Sequence, residues 1–211
     1  MGTKQHIPRV YINQPILIGD SVQLPHEKAH HLTRVLRASE GASITLFNGH
    51  GGEYEGVLAP AKKGEAVVYV QSHVDVDRES PLKVDLFMGL CKRDAMSAAL
   101  RRATELGVTS ITPLITDFSD VSPKQLPSLR AKWLATIESA AEQSGRTRLP
   151  KLLEAQPFAE ILSAIRDSNA QAFIAHPLGQ RLAATRSQDE NYVLAIGDRK
   201  STRLNSSHQI I

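Results

Sequence analysis

At 211 residues, with 41% apolar and 22% charged side chains, the chain has the make-up of an ordinary globular protein of one large or two small domains. That excludes a disordered tail protein, a collagen and, because Cys91 is the only cysteine, a disulfide scaffold; a reducing, cytoplasmic setting is expected. The net charge of +3 falls to +1 once Asp198, Arg199, Lys200 and Arg203 are set aside, so charge alone does not point to a nucleic acid. Apolar stretches stay under ten residues, too short for a membrane span, and Met1 to Arg9 lacks the apolar core of a signal peptide. No membrane partner is expected.

In chain order, residues 8 to 76 read as short strands with one helix. Arg9-Val-Tyr-Ile12 alternates, Ala42 to Phe47 is β-rich and runs into the turn pair Asn48-Gly49, and Glu53 to Leu58 and Ala66 to Val70 flank the turn-like Lys62-Lys63-Gly64. Pro25 to Leu36 predicts a helix with Leu32, Val35 and Leu36 on its apolar face. Short strands with a single helix predict a small barrel. Beyond the charged stretch Asp75 to Pro81, strands and helices alternate. Strands are expected at Lys83 to Leu90, Ser110 to Ile115, Ala170 to Ala175 and Tyr192 to Ile196, and helices at Arg93 to Leu106, Leu126 to Ser144 and Pro157 to Asp167. Gly107 stops the first of these helices. Such alternation predicts a mostly parallel α/β sheet. The expected organisation is a barrel over residues 1–76, a linker over 77–81 and an α/β domain over 82–197, with two separate cores.

The stretch Asp198 to His208 has neither helical nor strand periodicity. A polar C-terminal tail is the ordinary reading, but these residues match the direct translation of a common short-read sequencing adapter. The expectation is that residues 198–211 are an artefactual tail without stable packing, to be set aside from the fold.

Several constellations carry possible chemistry. His26 and His30 stand i, i+4, as metal ligands can, but with His31 they form no complete metal motif, and a surface or capping role is favoured; no metal is expected. Arg34 and Arg37, one turn apart, could grip two phosphates, although residues 1–78 carry eight basic and eight acidic residues and solvated arginines are common on such helices. Residues 92–151 hold ten basic and six acidic residues, with Lys92-Arg93, Arg101-Arg102 and Arg146-x-Arg148 paired, as a nucleic-acid face could be. Glu142-Gln143-Ser144-Gly145-Arg146 crowds polar groups at one helix end, where a plain glycine stop is the bland account. His176-Pro177 and Gly197 directly follow apolar strands, at the ends where parallel sheets bind ligands. Neither a dinucleotide fingerprint nor a P-loop is present. Residue chemistry alone reaches a two-domain α/β protein that could face RNA.

The spaced set Arg9-Val-Tyr, His30-His31-Leu-Thr-Arg-Val-Leu-Arg37, Phe47-Asn-Gly, Gly51-Gly-Glu-Tyr54, Lys92-Arg-Asp, Ala103-Thr-Glu-Leu-Gly-Val108, Pro113-Leu-Ile and Glu142-Gln-Ser-Gly-Arg146 resembles the RsmE family over residues 8–197. These are methyltransferases acting on N3 of a uridine in small-subunit (16S) ribosomal RNA. The resemblance implies a PUA-like RNA-binding barrel, a SPOUT α/β domain with a trefoil knot, S-adenosylmethionine as cofactor, and a homodimer serving ribosome biogenesis. It places Arg9, His31, Arg34 and Arg37 on the barrel's RNA face. It puts Lys92, Arg93, Arg101, Glu142, Gln143 and Arg146 on the catalytic domain's RNA face. His176, Pro177, Ile196 and Gly197 fall beside the cofactor. Leu178 stands where the family's His-Pro-Glu loop has Glu, and Ile196-Gly197 begins the family's Gly-rich loop, which does not continue. The knot is therefore expected to be incomplete and the polypeptide as written inactive. No catalytic base is assigned. Two alternatives are a non-catalytic ribosomal RNA-binding module and a related knotted transfer RNA methyltransferase.

Overall fold

The structure, a computed structural model, describes residues 7–62, 64–117, 119, 121–161, 170–175 and 191–197. The tail 198–211 and the expected helix beyond residue 161 lie outside the described residues. The chain divides into two compact units.

The first unit runs to Glu79 and takes in Ala141–Leu149. It reaches past the expected boundary at residue 76, and two residues of the expected linker, Arg78 and Glu79, carry ion pairs within it. Its sheet holds β1 (Arg9–Tyr11), β2 (Ser21–Gln23), β3 (Ser43–Phe47), β4 (Glu53–Ala59) and β5 (Val67–Val74) in the order β1-β3-β4-β5-β2. β1 pairs parallel with β3, and the remaining pairs are antiparallel. With β1 and β2 as its two edges, the expected barrel is an open half-barrel. Strand alternation explains the core: Ile44, Leu46, Val68 and Val70 point inward with Val10 and Leu32, while Tyr69 stays exposed.

The first helix departs from its expected apolar face. An α-helix, α1 (His26–His30), passes into a π turn over His31–Val35. Leu32 is buried, but Val35 and Leu36 are 59% and 48% exposed. The cause is the wider turn: the Leu36 N–H donates to the His31 carbonyl five residues back (3.0 Å), so side chains placed at 3.6-residue spacing rotate off the core. The Ala38 N–H then closes the turn on the Leu32 carbonyl (2.9 Å). Arg37 between them has φ +53°, the only positive φ outside glycine among the described residues.

The second unit is a parallel sheet of β6 (Lys83–Gly89), β7 (Ser110–Ile115), β8 (Lys151–Leu152), β9 (Gln156–Pro157), β10 (Gln171–Ala175) and β11 (Asn191–Ile196). Its order is β10-β11-β6-β7, with β8 and β9 as successive short pieces along the free edge of β7. The first strand, β6, is thus central, and the chain builds outward from it in both directions. Helix α2 (Arg93–Glu105) buries Met96, Leu100, Ala103 and Thr104, one stripe at helical spacing. Helix α3 (Leu126–Ser144) buries Leu129, Trp133, Ile137 and Ala140; its last turn, from Ala141 on, counts with the first unit.

Leu100 is fully buried, whereas Leu106 is 82% exposed. Leu100→Ala should destabilise the protein by about 2–5 kcal/mol, and Leu106→Ala by less than about 0.5 kcal/mol. Urea midpoints at unchanged slope check both.

Candidate functional site

The first unit carries a buried charge network that the sequence placed at an RNA face. Arg9, on edge strand β1, spends every donor it has. Its Nε and Nη2 donate to Glu53 Oε1 (2.9 and 2.6 Å), Nη1 donates to the Ala141 and Glu142 carbonyls (3.0 Å each), and Nη2 also reaches the Arg146 carbonyl (3.0 Å). Those are the five N–H groups of a guanidinium, and the plane lies 4.6 Å from the Phe47 ring centroid. Arg78 adds two bonds to the Glu53 carboxylate (2.7 and 3.0 Å).

The segment after α3 is held by the same means. Gly145, at φ +80°, stops the helix and turns the chain back. Arg146 Nε and Nη2 donate to Glu79 Oε2 (2.9 and 2.6 Å), and Glu79 Oε1 accepts the N–H groups of Thr147 and Arg148 (3.2 and 3.1 Å). Glu142 Oε1 accepts from the Tyr11 N–H and from Lys28 Nζ (2.9 and 2.7 Å). His50 forms a β-bridge with Arg148. Here the Asn-Gly and Gly-Gly motifs find their reason: a Cβ on Gly49 would press on Leu149 and Tyr11, and one on Gly51 on the Arg148 guanidinium.

Three of the residues expected at an RNA face are held inside this network. Arg9, Glu142 and Arg146 belong to the interior of the first unit, because their charges are matched there and only 15%, 20% and 9% of their side-chain surfaces remain exposed. Periodicity could not reveal this, since the partners stand 44 to 137 residues apart. Arg78 and Glu79 were not singled out, their only signal being charge in a segment read as linker, and Glu53 was quoted in the motif Gly51-Gly-Glu-Tyr54 without a role.

The other residues expected to contact RNA face solvent. His31, Arg34 and Arg37 are exposed on the π turn beside Val35 and Leu36, and Arg34 borders a groove of about 390 Å³ that also takes in Lys62. Lys92, Arg93 and Arg101 are exposed on and before α2, and Gln143 is exposed near the end of α3. Among the described residues no group of His, Cys, Asp and Glu is placed to hold a metal, and no helix is long and apolar enough to cross a membrane.

In the second unit the chain order reverses between β6 and β11, and their carboxyl ends lie side by side, Met88 in register with Ile196. Open α/β sheets bind ligands at such a point. Ile196 is 36% exposed there and Gly197 follows it without a side chain. His176 and Pro177 lie outside the described residues.

A PUA-like half-barrel and a parallel α/β sheet of the SPOUT kind, carried by one chain, define its fold class. Residues 78–198 match the family described as an RNA methyltransferase domain, and residues 24–70 match the RNA methyltransferase PUA domain. The chain belongs to the RsmE family. It is 30% identical to the ribosomal RNA small subunit methyltransferase E of Neisseria gonorrhoeae, solved bound to S-adenosyl methionine, with TM-score 0.81 over 91% of this chain and 79% of that one. A methyltransferase structure from Legionella pneumophila in complex with the same cofactor gives 30% identity and TM-score 0.79, over 92% and 80% of the two chains. The ribosomal RNA small subunit methyltransferase E of Bacillus subtilis is 29% identical over 156 residues, 73% of this chain. The chain spans 61% of that relative's length.

Burial would raise the Glu53 carboxyl, but hydrogen bonds from Arg78 and Arg9 and the attraction of both guanidiniums outweigh it and hold the group below the ordinary glutamate range. An acid depressed on folding contributes stability that is present above its unfolded pKa and lost as pH falls through the folded one. Glu53→Gln should cost about 3–5 kcal/mol near neutral pH, since it leaves two cations unpaired. It should also flatten the decline of stability on the acid side. Urea unfolding at a series of pH values measures both.

Proposed function

We propose, in place of the inactivity expected from the sequence, that the chain transfers a methyl group from S-adenosylmethionine to N3 of a uridine in 16S ribosomal RNA within the small subunit, acting as a homodimer in ribosome biogenesis. The single observation that carries this is the 30% identity, over nine-tenths of the chain, to a ribosomal RNA small subunit methyltransferase E solved with that cofactor. The described residues fit the cofactor: the switch-point crevice offers the apolar, part-exposed Ile196 to an adenine or thioether, and Gly197 leaves the backbone open to close approach. Ile196 and Gly197, with His176 and Pro177, are the residues we assign to it. The cofactor supplies an electrophilic methyl carbon on sulfur.

The chain's own residues then have three tasks. They must bind RNA, hold the base in line, and favour loss of the N3 proton, because neutral N3 has no free lone pair to offer. We assign RNA contact to His31 and the exposed cations Arg34 and Arg37 on and just after the π turn and Lys92, Arg93 and Arg101 by α2, with Gln143 as a polar contact.

The direct test is incubation of the protein with labelled S-adenosylmethionine and unmodified small-subunit particles, followed by nucleoside mass spectrometry. N3-methyluridine supports the proposal; label in another nucleoside, or none with active relatives as control, refutes it. Arg34→Ala with Arg37→Ala should weaken RNA binding and reduce the slope of log affinity against log salt by about one to two. A titration series from low to high salt reads the slope.

A further inference from the structure

The second unit holds a cavity of about 250 Å³ at the carboxyl end of β6. It is smaller than the ~300–1,000 Å³ of sites for drug-sized ligands, a size for one planar ring. Two kinds of wall meet in it. Trp133 and Met96, both buried, give it an apolar, polarisable side. Lys92, Arg93, Gln125 and Ser128 give it a polar one. Lys92 and Arg93 are exposed at the start of α2 while lining the cavity. Among the described residues the lining contains no carboxylate; Asp94 follows on the same turn but lies off it, and Cys91 is the other titratable group in it.

Its place in the sheet gives this chemistry a direction. Gly89 ends β6, and Met88 is in register with Ile196 on the neighbouring β11. Strands in one sheet lie about 4.8 Å apart, so the turn Gly89 to Cys91 is flanked by the end of β11, to which the cofactor was assigned above. A flat apolar wall suits the π face of a base, and paired cations suit an anionic ring edge.

We propose that this cavity takes the target pyrimidine of the RNA, turned out of its strand, and that Lys92 and Arg93 bind its N3-deprotonated form through O4 and O2. The assignment rests on the methyltransferase reading and adds to it the pocket for the accepting base. On ionisation the N3–H bond breaks, the proton passes to bulk water through the open mouth, and the electron pair left on N3 is shared with O2 and O4. Two adjacent cations favour that anion over the neutral ring. Enzymes acting on a base extrude it into such a pocket and stack it on aromatic or apolar side chains.

Trp133 is the only tryptophan and Cys91 the only cysteine of the chain, so the protein carries two built-in reporters of this cavity. The full chain is titrated with 5-fluorouridine monophosphate, whose fluorine makes N3–H more acidic, while Trp133 fluorescence and the alkylation rate of Cys91 are followed from about pH 6 to about pH 9. Quenching and protection of Cys91 should tighten about tenfold as the base ionises. N3-methyluridine monophosphate, which cannot ionise, should show no such pH dependence. Lys92→Gln with Arg93→Gln should abolish the tightening. Lys83→Gln, at the opposite end of β6, should keep it. Both sites are exposed, so folding is expected to survive, and a urea midpoint verifies it. Equal, pH-independent responses to both nucleotides, or tightening that survives the double substitution, would overturn the proposal. RNA binding and methyl transfer are scored in parallel on the unaltered protein. Transfer without a cavity response would sink the pocket alone, whereas a cavity response without transfer would sink the methyltransferase reading and leave the pocket standing.

Discussion

A buried guanidinium is tolerated only when each of its donors meets an acceptor, and Arg9 satisfies that condition by gathering acceptors from three distant parts of the chain. Glu53 comes from β4, the Ala141 and Glu142 carbonyls from the end of α3, and the Arg146 carbonyl from the segment beyond it. An α-helix leaves its last carbonyls unpaired, and a cation there is favoured by the helix dipole as well. One side chain therefore both neutralises a buried carboxylate and closes a helix end. Arg78 donates to both oxygens of the same Glu53 carboxylate, and Arg146 with Glu79 repeats the device for the chain that leaves the helix. The inclusion of residues 141–149 in the first unit rests on these bonds.

This network sorts the basic residues by role. Arg9, Arg78 and Arg146 have acceptors inside the first unit, where carboxylates face their charge. Those on the π turn and around the start of α2 keep their charge at the surface, where counter-ion release on meeting a phosphate backbone gives it value. The near-neutral net charge of the chain hides the division, because part of the positive charge is cancelled internally. The π turn contributes to the outward set by turning Val35 and Leu36 away from the core and leaving Arg37 in a left-handed conformation, the sort of local strain that folds hold at working surfaces.

Much of the fold was legible in the sequence because it rests on short-range pattern. The β-rich run at Ala42 to Phe47 and the helix at Arg93 to Leu106 form close to their expected bounds, and the alternating run Ala66 to Val70 forms a strand that continues to Val74. The two-residue strands β8 and β9 are too short to carry a period, and neither was foreseen. The helix from Pro25 was read correctly as a helix and wrongly as to its face, because a π turn leaves no mark in hydrophobic spacing. The polar cluster Glu142 to Arg146 was noticed, but its purpose depends on Arg9, Lys28 and Glu79, far away in sequence. The glycines at 49 and 51 carried a family resemblance before they carried a reason; the close approach of Arg148 and Leu149 supplies it.

The claim that a charge network incorporates residues 141–149 into the first unit is tested most directly by amide hydrogen exchange on the unaltered protein and on Glu53→Gln, followed residue by residue. The account predicts that protection at Ala141 to Arg148 falls together with that of β1, β3 and β4 in the variant, while amides of β6, β7 and β11 keep theirs. Unchanged protection at Ala141 to Arg148 while β1 and β4 open would contradict it.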